Sequence, residues 1–187
     1  MRLILLTVLV ALGVGLLTGG SLRDFPTVKT RWWWLALAGV AMQFVTGGGT
    51  LEVVLLLGSF VALLAYVIAN LRAPGFPLVL IGLVLNLAVI AANRGMPVTH
   101  HALEASGQGD TITELATNGD GQKHYLVVDG DGTRLLPLGD VIALGGPVRQ
   151  AISVGDIFVH LGIAWFIVAT MRRRDTEPAL EADAAEA

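Results

Sequence analysis

Residues 152–174 read ISVGDIFVHLGIAWFIVATMRRR, an apolar run with one carboxylate near its start, stopped by Arg172, Arg173 and Arg174. About 20 helical residues cross a hydrocarbon core of about 30 Å, and Ile152 to Met171 has that length. Four more apolar stretches precede it: Leu3 to Leu17, Trp32 to Val45, Leu51 to Ala69 and Phe76 to Ala92. The last two of these are long enough as they stand. The first two must borrow Thr18 to Gly20 and Thr46 to Gly48, or sit in a locally thinned bilayer. The expected fold is therefore an all-α polytopic membrane protein of five transmembrane helices. Residues 1–93 would form a four-helix transmembrane region, 94–151 an extracytoplasmic loop, 152–171 the fifth helix, and 172–187 a basic stop followed by a disordered acidic tail.

Composition agrees. The 187 residues are 54% hydrophobic and 14% charged, with a mean hydropathy of +0.70, whereas soluble domains average about 25% charged. The lipid bilayer is thus the expected partner, with a membrane protein or a lipid as a further one. The net charge of -3 leaves no basic face for nucleic acid. The absence of cysteine excludes disulfides, thiolate metal sites and a cysteine nucleophile. A zinc site would need most of His100, His101, His124 and His160 to converge, and their spacing matches no standard motif. Asp129-Gly130-Asp131 with Asp140 at the twelfth position mimics a calcium loop, but Arg134 stands where the glycine is required. No metal and no cofactor is expected.

Basic residues in short loops set orientation. Arg23, Lys29, Arg31, Arg72, Arg172, Arg173 and Arg174 all fall on one side of a five-span chain. That side is the cytoplasm, which places the N-terminus and residues 94–151 outside a bacterial inner membrane and the C-terminus inside. Trp32 to Trp34 then mark the inner interface. A cleaved signal peptide is the competing reading of the first stretch, since Arg2 precedes an apolar run ending in Thr18-Gly19-Gly20. It would strand Arg23, Lys29 and Arg31 outside, so an uncleaved first helix is expected.

In the outer loop, residues 102–122 are rich in Gly, Thr, Asp and Ser and read as turns. Tyr125 to Val128 and Thr133 to Leu136 flank Asp129-Gly130-Asp131-Gly132, the pattern of a small β-hairpin over about residues 124–136.

Few residues are equipped for chemistry. Asp156 follows Ser153 by three, so Ser153 and Asp156 fit a helix-capping box at the membrane surface, and the same carboxylate suits a site there. Asp140, in Leu138-Gly139-Asp140-Val141, repeats the Gly-Asp pair before the chain re-enters the membrane. Two carboxylates that converge can share a proton, one acting as base on water and the other as acid. His160 shares a helix face with Asp156, as helix packing or as a proton relay. Asn86 and Asn93 line one face of the fourth helix and suit hydrogen bonds to its neighbours. Gly95 is expected to stop that helix, and Pro97 to prevent its resumption.

The series Asn93-Arg94-Gly95-Met96-Pro97-Val98, Lys123-His124, Leu138-Gly139-Asp140-Val141-Ile142 and Ser153-Val154-Gly155-Asp156-Ile157 resembles a family of small five-helix bacterial membrane proteins classed only as a domain of unknown function. A second, motif-level similarity is to lipoprotein signal peptidase. Asn93-Arg94-Gly95 resembles its Asn-x-Gly element, and Asp140 and Asp156 resemble its two catalytic aspartates. Its Gly-Asn-x-x-Asp-Arg motif has no counterpart here. The first resemblance implies an uncharacterised membrane component. The second implies a membrane aspartic hydrolase in which Asp140 and Asp156 activate water and Asn93 positions a substrate carbonyl. The expected function is the first: a non-enzymatic component with an outward-facing binding or scaffolding surface, on which Asn93, Gly95, His124, Ser153 and His160 serve binding or structure.

Overall fold

A computed structural model describes residues 2–22, 30–44, 49–110, 125–128 and 132–172. The elements in chain order are α1 (Arg2–Leu17), α2 (Trp33–Met42), α3 (Gly49–Ala69), α4 (Phe76–Asn93), β1 (Met96–Thr99), α5 (His100–Ala105), β2 (Tyr125–Val128), a 3-10 turn (Leu136–Leu138), β3 (Ile142–Leu144), β4 (Gln150–Ile152) and α6 (Val154–Met171). Three segments are long and apolar enough to cross a membrane: Thr50–Ala69, Phe76–Asn93 and Val154–Met171. The other two apolar helices are shorter, 16 residues for α1 and 10 for α2. The acidic tail, His124 and residues 111–123 lie outside the described residues.

The helices pack as a chain of neighbours, α1 on α6, α6 on α4, α4 on α3 and α3 on α2. Between apolar helices in lipid, close approach depends on small side chains. The contact between α4 and α6 is built on two glycine pairs seven residues apart on each strand of chain. Gly82 faces Gly155, and Gly75 faces Gly162, each near enough that a Cβ on one would overlap the backbone of the other. Gly39 lies as closely under Leu63 and Ser59, and Gly58 under Met42. Where space allows, aromatic rings fill the seam: Tyr66 and Phe166 pack on either side of Phe76, with ring centroids 5.5 and 5.2 Å away. At the far end of α6, Met171 sits between Gly15 and Gly20, and the Ser21 N–H donates to its carbonyl over 2.8 Å.

An outer layer of short elements covers one end of α4 and α6. Helix α4 ends with Arg94 in the left-handed conformation at φ 60°, and both Arg94 and Gly95 donate backbone N–H bonds to the Ile90 carbonyl. The helix stop thus falls on Arg94, one residue before the glycine expected to make it. From there β1 runs into α5, whose first turn is capped by the Thr99 hydroxyl. Val98, Ala102, Leu103 and Ala151 form a small separate core beneath this layer.

The expected hairpin over residues 124–136, of which 124 and 129–131 lie outside the described residues, is not found among the described ones. Tyr125–Val128 pairs in parallel with Met96–Thr99, in the register Met96 to Tyr125. Thr133 to Leu136 cannot answer as a strand because Leu135 is left-handed at φ 55° and the chain then enters a 3-10 turn containing Pro137, which lacks an N–H. The antiparallel pairing occurs later, between Ile142–Leu144 and Gln150–Ile152, and delivers the chain to the start of α6.

Candidate functional site

The start of α6 shows how three side chains close a ring of hydrogen bonds. Ser153 is the N-cap: its hydroxyl accepts from the Asp156 N–H at 3.0 Å, while Asp156 Oδ2 accepts from the Ser153 N–H at 3.1 Å. This reciprocal box satisfies two donors that a helix N-terminus otherwise leaves open, and the helix dipole favours a carboxylate there. Asn86 reaches across from α4 and completes the ring. Its Nδ2 donates to Asp156 Oδ1 at 2.8 Å, and its Oδ1 accepts from the Ser153 hydroxyl at 2.9 Å. Both oxygens of Asp156 are therefore occupied by donors from within the protein. The absence of a side chain at Gly155 is what admits Asn86, since a Cβ there would overlap the Asn86 carboxamide.

Asp140 lies at the seam between this ring and the outer layer. Its N–H donates to the Pro97 carbonyl at 2.9 Å, and it forms a parallel bridge to Val98. Gly139 fits flush on Pro97, where a Cβ would stand 2.6 Å from the Pro97 oxygen. The side chain is only 3% exposed, and Oδ1 has no hydrogen-bond partner. Burial, and to a smaller extent the charge of Asp156, raises the Asp140 carboxyl from 3.8 to about 8. A buried carboxylate without a donor or a counter-charge is costly enough that the group keeps its proton instead.

Asn93 is turned elsewhere. Its Nδ2 donates to the carbonyls of Val89 at 2.9 Å and Arg134 at 2.8 Å, and its Oδ1 accepts from the Arg134 N–H at 3.0 Å. The carboxamide is used up in fixing the segment before the 3-10 turn. His160 bonds through Nδ1 to the main-chain carbonyl of Asp156 at 2.7 Å, not to its carboxylate. Gly95 is buried at the helix end. No group of three or more His, Cys, Asp or Glu that could hold a metal occurs among the described residues.

Of the residues singled out in the sequence, the structure joins Ser153 and Asp156 by hydrogen bonds, places Asp140 within electrostatic reach of Asp156, and leaves Asn93 and His160 to separate backbone contacts. The direct bonds from Asn86 were not foreseen beyond a general role between helices. The glycine pairs carry a signal in spacing: Gly75 and Gly82, and Gly155 and Gly162, each stand seven residues apart.

A family model matches residues 27–168, the family of unknown function DUF5317. The chain belongs to this family. The expected membership of an uncharacterised family is thereby borne out. The DUF5317 match contains Asn86, Asn93, Asp140, Ser153, Asp156 and His160, while α1 lies outside it. No curated protein and no solved structure matches the chain, so the similarity to lipoprotein signal peptidase finds no support.

Proposed function

We propose that the protein is a five-span component of a bacterial cytoplasmic membrane whose outer layer is a folded, clamped cap offering a binding or scaffolding surface to a membrane-protein or lipid partner. The observation that carries this is the inward use of its polar groups. Asp156 spends both oxygens on Ser153 and Asn86, Asn93 spends its carboxamide on Arg134, and Asp140 is buried. Groups so arranged hold the cap to the helix ends, and neither Asp140 nor Asp156 is left free to act on a substrate.

Five alternating spans with the N-terminus outside are supported by helix direction. The C-terminal ends of α1 and α6 lie together at Ser21 and Met171, so the two run the same way, while the start of α2 meets the end of α3 where Asn70 bonds the backbone of Arg31. On this reading the basic residues of the short loops share the cytoplasmic side.

One observation favours a second reading, an aspartic hydrolase. A carboxyl that keeps its proton at neutral pH beside a second carboxyl is what a water-activating pair requires. Complementation of a deletion strain separates the two. A folded Asp140→Asn variant restores function if the protein is a clamped component, whereas loss of function with normal folding and abundance supports the hydrolase. Replacing exposed residues of the cap, such as Glu104 and Asp110, has the opposite pattern: it weakens the component and spares a hydrolase.

A further inference from the structure

The segment that carries Asp140 is anchored on both sides, and its far strand is held besides, by the Ala151 N–H on Gln108 Oε1 and the Arg149 guanidinium on the Gly107 carbonyl. Before it, Asn93 grips the backbone of Arg134. After it, the Ser153 capping box fixes the start of α6. Between these anchors, residues 135–152 hold the 3-10 turn and the β3–β4 pair, and they meet β1 at one seam, the Asp140 N–H on Pro97 and the bridge to Val98. The buried Oδ1 of Asp140, without a hydrogen-bond partner, lies at that seam.

The charged groups on the surrounding elements leave its charge uncompensated. Helix α6 carries Asp156 and His160, and the His160 ring is bonded to the Asp156 carbonyl. Neither β1 nor the 3-10 turn has a titratable residue, and α5 carries His100, His101 and Glu104. Arg149, at the start of the β4 strand, gives its guanidinium to the Gly107 carbonyl. Arg94 and Arg134, on either side of the Asn93 clamp, are exposed. Among the described residues Asp156 is the charge that acts on Asp140, and its effect has the same sign as that of burial; together they hold the proton up to about pH 8.

We propose that Asp140 is a proton-operated latch, which seats the 135–152 segment on β1 and the helix ends when protonated and releases it when the O–H bond ionises to water and leaves a charge beside Asp156. The release is local because the Asn93 clamp and the bonds from β4 to Gly107 and Gln108 do not involve that proton. Its direct consequence is access to the small core of Val98, Ala102, Leu103 and Ala151. Acid or neutral conditions outside the membrane keep the cap closed, and alkaline conditions open it.

The natural chain has no cysteine, so one introduced thiol reports cleanly. Full-length protein in lipid nanodiscs carries Ala102→Cys in the buried core or Asp110→Cys on the surface, and the ratio of their maleimide labelling rates cancels the thiol's own ionisation. That ratio is expected to rise by up to about tenfold per pH unit as pH approaches about 8, and to stay low and flat when Asp140→Asn is added. A flat ratio with Asp140 intact, or the same rise with Asp140→Asn, overturns the latch. The unmutated chain gives a second readout: a protonated-carboxyl band in the infrared, absent from Asp140→Asn, that persists while labelling rises and is lost near pH 8, where the rise levels off. A band lost well below that pH, or one equally present in Asp140→Asn, also overturns the latch.

Discussion

Asn93 grips Arg134 by its backbone alone, donating to its carbonyl at 2.8 Å and accepting from its N–H at 3.0 Å. The pairing imitates one rung of a sheet, with a side chain in place of a strand. Asn70 does the same for Arg31, at 2.8 and 2.7 Å. In both cases the asparagine ends a helix, and the residue after the clamped arginine, Leu135 or Trp32, is left-handed and opens the next helical turn. The contacts are exposed, so Asn93→Ala is expected to cost about 1 kcal/mol, seen as a lowered melting temperature in detergent. Asn93→Asp keeps the acceptor and loses the donor, and should fall between the two. Equal melting temperatures for all three proteins would show that the clamp contributes nothing.

The glycine seam between α4 and α6 predicts a sharper loss. A Cβ at Gly155 overlaps the Asn86 carboxamide and lies 2.8 Å from the Gly82 carbonyl oxygen, neither of which is the free end of a flexible chain. Gly155→Ala should therefore destabilise by about 3 kcal/mol or more. Gly13→Ala is the matched control: nothing lies within 4 Å of its Cβ position, and alanine gains up to about 1 kcal/mol of helix propensity. Thermal unfolding that treats the two substitutions alike would contradict the packing.

Asn86 supplies a donor to Asp156 and an acceptor to Ser153 at the same time. Asn86→Ala strands two groups of which Ser153 is fully buried, for an expected loss of about 3 kcal/mol. Asn86→Asp places an acceptor where Asp156 needs a donor. It should be worse than alanine near neutral pH and partly recover as the pH is lowered. Proteolytic resistance across a pH series distinguishes these outcomes.

Stability should also fall with rising pH on account of Asp140. The folded carboxyl holds its proton to about pH 8, whereas the unfolded one releases it near 3.8. Its contribution is therefore complete below 3.8, declines through the interval, and is gone once pH has risen past about 8. The slope in that interval is at most about 1.4 kcal/mol per pH unit. Asp140→Asn should flatten the melting temperature against pH over this range, and an unchanged slope in that variant would assign the effect to other groups.

Much of this architecture was legible in the residues because lipid imposes length and polarity on helices directly. The capping box at Ser153 and Asp156 was visible as a spacing of three, since it is local. The hairpin was misplaced for the opposite reason. Tyr125–Val128 carries a β-prone pattern that says nothing of its partner, and the choice of β1 over Thr133 to Leu136 depends on the left-handed Leu135 and on the grip of Asn93 from another element. Likewise the spacing of Asp140 and Asp156 could not tell whether they meet. That depends on the seam at Pro97 and on how far Asp140 is buried, neither of which has a sequence period.

The seat of Met171 against Gly15 and Gly20 has a bearing on how the molecule is assembled. Helix α1 is synthesised before α2 to α6, yet among them its packing partner is α6. It remains without that neighbour while α2 to α5 are made. Contacts between such distant parts of a chain form late. The joining of α1 to α6 is thus a late step of assembly, and a nascent chain halted before α6 would leave α1 unmated.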